Sequence, residues 1–117
     1  MRVLIVEDDF DLRFLYRTAL TQKGYEVVDA ENATVAEIEL DADTFDLILL
    51  DLNMPDKPGT AVIDHLRADK RHFNTQVIVI TANDHWVDEV LERGVDNILV
   101  KPISINQILA TVQEVLS

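Results

Sequence analysis

Carboxylate side chains directly follow two short apolar runs of the sequence. Glu7, Asp8 and Asp9 come after the first run, and Asp51 follows a second run farther along the chain. Such continuous apolar runs predict strands buried on both faces of a parallel sheet, whose carboxyl ends share one edge where ligands bind. Crowded carboxylates repel each other and recruit a cation, and an oxygen-lined site with room for water suits Mg²⁺. We therefore predict that Asp8, Asp51 and Glu7 form a magnesium site.

A hydroxyl group and an ammonium group follow two further apolar runs. Thr81 ends the most β-branched run of the chain, and Lys101 follows the last run, immediately before Pro102. A carboxylate forms an aspartyl-phosphate when a divalent metal and a cation neutralise the phosphoryl oxygens. Lys101 supplies that cation, and the Thr81 hydroxyl can donate a hydrogen bond to a phosphoryl oxygen. We expect Asp51, Thr81 and Lys101 to be the catalytic residues, with the position of Thr81 depending on whether Asp51 is modified.

These residues need a fold that brings four strand ends to one edge of a sheet. Five predicted strands alternate with five predicted helices, which is typical of an α/β fold with helices on both faces of a parallel sheet. One domain is expected over residues 1–117, because 117 residues of 48% hydrophobic composition form one core and not two. The predicted strands are Val3–Val6, Glu26–Ala30, Leu47–Leu50, Gln76–Thr81 and Ile98–Val100.

Apolar spacing and capping residues predict the helices. The first begins near Phe10 and ends before Gly24, Asn32 caps the second, the third runs to about Asp69, and Gly94 ends a short fourth helix. Ser104 and Gln107 form a predicted capping box for the last helix, which keeps a helical apolar stripe to the chain's end. The core-facing positions expected in the first two helices are Leu12, Leu15, Tyr16 and Ala19, then Val35, Ala36 and Ile38.

Composition and charge narrow the compartment and the partners. The absence of cysteine excludes disulfides and thiolate metal sites, and it suits a reducing compartment. No apolar run approaches the roughly 18 residues of a membrane span. A formal net charge of −12 opposes direct binding to a phosphate backbone. We expect a cytoplasmic protein that binds neither nucleic acid nor membrane directly.

With these residues in place, the chain resembles the response-regulator receiver domains (CheY-like) of two-component signal transduction over nearly its whole length. Each carrying motif alone is weak, but the four in this order, each at a strand end, are very specific. The motifs are Val6-Glu7-Asp8-Asp9, Asp51-Leu52-Asn53-Met54-Pro55 with Gly59, Thr81-Ala82 and Lys101-Pro102.

The resemblance implies a doubly wound (βα)5 flavodoxin-like fold with strand order 2-1-3-4-5. It also implies transfer of a phosphoryl group to Asp51 from a sensor histidine kinase or a histidine phosphotransfer protein, in a two-component pathway or phosphorelay. Such a domain catalyses its own phosphorylation and dephosphorylation and is not an independent metabolic enzyme. The implied Mg²⁺ ligands are Glu7, Asp8, Asp51 and the backbone carbonyl of Asn53. The implied phosphoryl contacts are Thr81 and Lys101, with a cis peptide bond before Pro102.

One position departs from the family pattern. Ile98 stands where the fifth strand of the family usually carries tyrosine or phenylalanine, an aromatic ring that turns inward as the threonine moves. The phosphorylation chemistry does not use that side chain, so only the output route is affected. The expected output surface comprises the fourth helix, the fifth strand and the fifth helix, and its candidate partners are an output domain, a downstream protein or a second copy. Trp86, at the start of the fourth helix, is interpreted either as half-buried packing or as a partner contact.

Other function classes remain as alternatives to a phosphorylatable switch. A receiver-like interaction module that works without phosphorylation is the main one, and the intact acceptor site argues against it. A metal-dependent phosphatase usually has a second aspartate two residues after its nucleophile, where this chain has Asn53. A dinucleotide carrier is disfavoured because no G-x-G-x-x-G follows the first strand. Three histidines lack metal-ligand spacing and are expected at the surface: His65, His72 and His85.

Overall fold

The strands of the computed structural model, which describes residues 1–117, form one five-stranded parallel sheet. They are β1 (Arg2–Val6), β2 (Glu26–Ala30), β3 (Leu47–Asp51), β4 (Gln76–Thr81) and β5 (Asn97–Val100). The order across the sheet is β2-β1-β3-β4-β5, and every neighbouring pair is parallel. This order confirms the predicted doubly wound flavodoxin-like fold.

The helices alternate with the strands as predicted. They are α1 (Phe10–Gln22), α2 (Ala33–Ala42), α3 (Thr60–Arg67), α4 (Val87–Glu92) and α5 (Ile105–Leu116). Short 3₁₀ turns, Lys70–His72 and Asp84–Trp86, precede β4 and α4. None of these helices is long and apolar enough to cross a lipid bilayer.

Alternate residues of the central strands face opposite helix layers. Leu4 and Ile48 pack in a cluster with buried side chains of α2, α3 and α4. Ile5 and Leu49, the next residues along each strand, pack instead with buried side chains of α1 and α5. Because both faces of the strands are covered, these segments are continuous apolar runs without polar alternation.

Two residues predicted to face the core are exposed instead. Leu15 of α1 is 45% exposed, whereas Tyr16 and Leu20, one helical turn apart, are buried against the sheet. Ile38 of α2 is 60% exposed, because it lies about 200° around the helix from the buried Ala36. The helices were predicted correctly, but the wide apolar stripe assigned to each was wrong at one edge.

The predicted capping residues are confirmed at several helix ends. Asn32 accepts the Val35 N–H at 2.9 Å, and Ser104 forms the reciprocal capping box with Gln107. Gly24 and Gly94 follow α1 and α4 with φ angles of +93° and +78°, a conformation that glycine adopts without strain. These four caps were therefore visible in the sequence before the fold was known.

Candidate functional site

The parallel register brings the predicted site residues to the carboxyl edge of the sheet. β1 and β3 pair up to their carboxyl ends, so Glu7, which follows β1, lies beside Asp51. β4 and β5 also end together, and the Lys101 N–H donates to the Thr81 carbonyl at 2.8 Å. Glu7 and Lys101, which are 94 positions apart in the chain, thereby lie at the same edge of the sheet.

Three carboxylates form the acidic cluster at this edge. Glu7, Asp8 and Asp51 each place one oxygen within 4.8 Å of the others. Asp8 is exposed, but Glu7 is only 1% exposed and both of its carboxylate oxygens lack a hydrogen-bond partner. Burial, together with the neighbouring Asp51, raises the pKa of Glu7 to about 8. Buried oxygens without donors are satisfied by a hard divalent cation, so these side chains fit Mg²⁺.

Lys101 places the positive charge of the site beside the Asp51 carboxylate. Its Nζ lies 3.1 Å from Asp51 Oδ2 and 3.7 Å from Glu7 Oε1. Burial lowers the pKa of Lys101, but the two carboxylates outweigh burial and the pKa is raised. The Lys101 side chain therefore carries its positive charge at neutral pH. Separately, the peptide bond between Lys101 and Pro102 is cis, as expected.

The loop after β3 folds back over the end of that strand. Asp51 Oδ1 accepts the Asn53 N–H at 2.9 Å, and the Gly59 N–H donates to the Leu52 carbonyl at 3.2 Å. A Cβ atom on Gly59 would lie 2.8 Å from both the Asp51 carbonyl oxygen and Leu52 Cα. Only glycine allows this close approach, which keeps Asn53 next to the Asp51 carboxylate.

Thr81 is buried at the edge of the sheet, but its hydroxyl does not contact Asp51. The hydroxyl donates to the Asn83 carbonyl and accepts the Asn83 N–H, both at 3.1 Å. The Asn83 side chain in turn accepts the His85 N–H at 3.3 Å and caps the 3₁₀ turn before α4. The Thr81 hydroxyl is therefore part of the turn that leads into α4.

Ile98 and Trp86 both pack, half-buried, against the hydrophobic cluster beneath α2, α3 and α4. Ile98 lies opposite Val79 in the sheet. Trp86 stacks obliquely against His85, with ring centroids 5.2 Å apart. The half-buried packing of Trp86 is thus confirmed, and its contact with a partner stays a prediction.

Asp9 and Arg13 behave differently from the sequence interpretation. The sequence groups Asp9 with the crowded acids Glu7 and Asp8, but the Asp9 carboxylate accepts the Leu12 N–H at 3.0 Å and caps α1. Arg13 was missed: its guanidinium donates to the Glu7 carbonyl at 2.8 Å and lies 3.7 Å from Asp29. The sequence signal for Arg13 was its position one helical turn after Asp9, on the helix that follows the acidic motif.

One histidine prediction was wrong. His72 is 1% exposed, because its Nε2–H donates to the Leu40 carbonyl at the end of α2 at 2.8 Å. His65 and His85 lie at the surface or partly exposed, and His65 Nε2 contacts Asp41 at 2.8 Å. None of the three belongs to the acidic cluster.

Comparisons with known proteins agree with this geometry. The profile of the response regulator receiver domain matches residues 3–113. The transcriptional regulatory protein KdpE of Staphylococcus aureus is 34% identical over 114 residues, which cover 96% of this chain and 48% of KdpE. The chain thus spans about half the length of the curated relatives it matches.

Two solved structures share the fold over 98% of both chains at 29% identity. The chemotaxis response regulator CheY4 of Vibrio cholerae superposes with a TM-score of 0.92. The response regulator TrrA of Thermotoga maritima, solved in complex with Mg²⁺ and BeF, superposes with a TM-score of 0.85. The profile match, the relatives and the arrangement of the carboxyl edge agree, and the chain belongs to the response regulator receiver domain family.

Proposed function

We propose that the protein is a phosphorylation-dependent signalling switch that accepts a phosphoryl group on Asp51 in a Mg²⁺-dependent reaction. The observation that carries this proposal is the pairing of Asp51 with Lys101 at 3.1 Å beside the unsatisfied oxygens of buried Glu7. A bound Mg²⁺ would neutralise phosphoryl oxygens, and its proposed ligands are Glu7, Asp8, Asp51 and the carbonyl of Asn53. That TrrA was solved with Mg²⁺ and BeF supports this choice of ion.

The proposed donor is a phosphohistidine of a sensor histidine kinase or a phosphotransfer protein. A bond forms between an Asp51 carboxylate oxygen and phosphorus as the bond from phosphorus to the histidine nitrogen breaks. The electron pair remains on the imidazole, which takes up a proton. Lys101 holds its ammonium group where negative charge develops on the transferred group, and this electrostatic role accounts for most of the catalysis expected in phosphoryl transfer. We place this exchange in the cytoplasm.

The proposed output passes through Thr81. If its hydroxyl turns to a phosphoryl oxygen, it gives up both hydrogen bonds with Asn83, and Asn83 caps the turn that contains Trp86. The surface formed by α4, β5 and α5 then changes without an aromatic ring at Ile98. Its candidate partners are an output domain, a downstream protein or a second copy of the chain.

Intact-mass spectrometry after incubation with acetyl phosphate and Mg²⁺ tests the acceptor. We expect the mass of one phosphoryl group to be added to the wild-type protein and not to Asp51→Asn. Asp46→Asn is the matched control, because Asp46 lies just before the amino end of the same strand and bonds to the Arg2 N–H. No added mass, or modification that persists in Asp51→Asn, would favour the alternative of an interaction module that works without phosphorylation.

A metal-dependent phosphatase remains disfavoured. Asn53, the residue two positions after Asp51, offers its backbone N–H to the carboxylate, and its side-chain amide cannot act as an acid or base. We expect no turnover of a phosphate monoester such as p-nitrophenyl phosphate beyond that of Asp51→Asn.

A further inference from the structure

The loop after β3 is attached to α2 by Asp56. One carboxylate oxygen accepts the Ala33 N–H at 3.3 Å, and the other accepts the Thr34 N–H at 3.1 Å and the Thr34 hydroxyl at 2.8 Å. The side chain of Asn32, the local cap of this helix, accepts only the Val35 N–H. The first two N–H groups of α2 therefore depend on a carboxylate more than 20 residues away along the chain.

The next residue makes a second attachment of opposite charge. Lys57 Nζ lies 2.8 Å from Glu37 Oε1 and 2.5 Å from Glu37 Oε2. Glu37 lies one helical turn along α2, and its side chain is 17% exposed. A negative group at the helix N-terminus and a partly buried ion pair one turn later thus fix both the position and the direction of the loop.

These attachments lie between the two points where the loop meets the acceptor. The loop leaves at Asn53, whose N–H is bound to Asp51, and returns at Gly59, whose N–H is bound to Leu52. Within residues 54–57, the only hydrogen bonds to the rest of the molecule are those of Asp56 and Lys57. Without them, the middle of the loop would keep the packing of partly buried Met54 against the hydrophobic cluster beneath α2, α3 and α4, but no hydrogen bond to the rest of the molecule.

We propose that Asp56 is a positioning residue: by fixing the loop on the N-terminus of α2, it holds Asn53 against the Asp51 carboxylate. The proposal rests on the proposed function in that Asp51 is taken as the acceptor. Hydrogen bonds from Thr34 and from backbone amides keep the carboxylate charged, since they outweigh burial and lower the pKa of Asp56 to about 2. The attachment therefore persists across the physiological pH range.

Asp69 provides the matched control. It too is an aspartate that accepts a backbone N–H and ends with its pKa lowered to about 2, through its side-chain bond to Arg71. It lies between α3 and β4, before the amino end of the sheet, and forms no hydrogen bond or ion pair with the loop after β3. Asp69→Ala and Asp56→Ala each remove one capping carboxylate, but only the second removes the loop attachment.

Amide hydrogen exchange of Asn53 in the metal-free protein is the first measurement. We expect exchange about tenfold faster in Asp56→Ala and unchanged in Asp69→Ala, because only the former frees the loop to leave Asp51. Asp56→Asn keeps an acceptor oxygen for the Thr34 N–H, so its exchange should lie close to the wild-type value. Equal Asn53 exchange in the wild type and Asp56→Ala would overturn the proposal.

The rate of phosphorylation by acetyl phosphate is the second measurement. It should fall about tenfold in Asp56→Ala and stay near the wild-type rate in Asp69→Ala at matched fractions of folded protein. A rate loss as large in Asp56→Asn as in Asp56→Ala would assign the effect to lost charge and overturn the positioning role. An unmodified wild-type protein would overturn the proposed function instead, while Asn53 exchange would still decide the role of Asp56.

Discussion

Two clusters of ionisable side chains occupy opposite ends of the sheet and differ in how well their carboxylates are satisfied. At the amino end, Asp69 accepts the Arg71 N–H at 2.9 Å and the Arg71 guanidinium at 2.7 Å. Arg71 and His72 then donate to the Leu40 carbonyl at the end of α2, at 3.4 Å and 2.8 Å. At the carboxyl end, both oxygens of buried Glu7 lack any donor.

The pKa shifts of the two clusters run in opposite directions. The side-chain bond to Arg71 lowers the pKa of Asp69 to about 2, whereas burial raises the pKa of Glu7 to about 8. A carboxylate with its hydrogen bonds made stabilises the fold, whereas a buried carboxylate without them lowers stability until a ligand supplies the missing contacts. The three carboxylates of the acidic edge are thus placed where they could hold a cation, whereas the amino-end cluster joins α2 to the turn before β4.

Metal binding should give the largest difference between the two clusters, because only the acidic edge is expected to bind Mg²⁺. Mg²⁺ at 100 times its dissociation constant should add about 2.7 kcal/mol to the free energy of unfolding, since it binds the native state alone. Asp8→Ala should lose most of this gain, because Asp8 supplies one of the three clustered oxygens. Thermal unfolding with and without Mg²⁺ measures the gain.

Asp69→Ala serves as the control for that experiment. Its gain from Mg²⁺ should equal that of the wild type, because no atom of the amino-end cluster belongs to the acidic edge. A gain that survives intact in Asp8→Ala would place the ion elsewhere on the protein.

Removal of His72 should lower the stability of the fold without changing metal binding at the acidic edge. His72→Ala leaves the Leu40 carbonyl with only the longer hydrogen bond from Arg71 and opens a cavity at a position that is 1% exposed, which should cost about 2 kcal/mol. Urea unfolding measures that loss, while the gain from Mg²⁺ and the phosphorylation of Asp51 should persist. Loss of phosphorylation in a fully folded His72→Ala would mean that the two ends of the sheet are coupled.

The pH dependence of the metal-free protein should come from the acidic edge. The pKa of Glu7 rises from 4.5 to about 8 on folding, so the folded state keeps a proton that the unfolded state has released. The resulting stability is full below pH 4.5 and is lost as the pH rises through 8, at no more than about 1.4 kcal/mol per pH unit.

Glu7→Gln removes that titration with little change in shape. Its advantage in unfolding free energy over the wild type should grow between pH 4.5 and about pH 8 and then level off. Urea unfolding in the presence of a chelator measures both proteins. Parallel pH profiles would show that Glu7 does not titrate in this range.

The smallest expected effect concerns Thr81, at the acidic edge but bonded away from it. Thr81→Val removes the hydroxyl bonds to Asn83 and should cost about 1 kcal/mol of unfolding free energy. Addition of beryllofluoride with Mg²⁺ should change the fluorescence of Trp86 in the wild type and leave Thr81→Val silent. A change of equal size in both proteins would exclude Thr81 as the link to the turn before α4.

Much of this molecule was predictable from local signals. Continuous apolar runs predicted the strands, Ser104 and Gln107 predicted the capping box, and the order of the motifs predicted the members of the acidic edge. Local signals succeed here because burial on both faces and helix capping each depend on a few neighbouring residues. The prediction for Leu15 was wrong because apolar spacing identifies a helix but does not show which edge of its apolar stripe packs against the sheet.

The sequence by itself determined the strands, the helix caps and which carboxylates meet at the carboxyl edge of the sheet. The tertiary structure decided how each side chain is satisfied, because its partners come from distant segments. Asp9 caps a helix, whereas its neighbour Asp8 belongs to the acidic cluster. His72 is buried, and its hydrogen-bond partner is the carbonyl of a residue 32 positions away. Asp56 likewise meets α2 only in the folded chain, since hydrogen-bond partners more than 20 residues apart leave no periodic trace in the sequence.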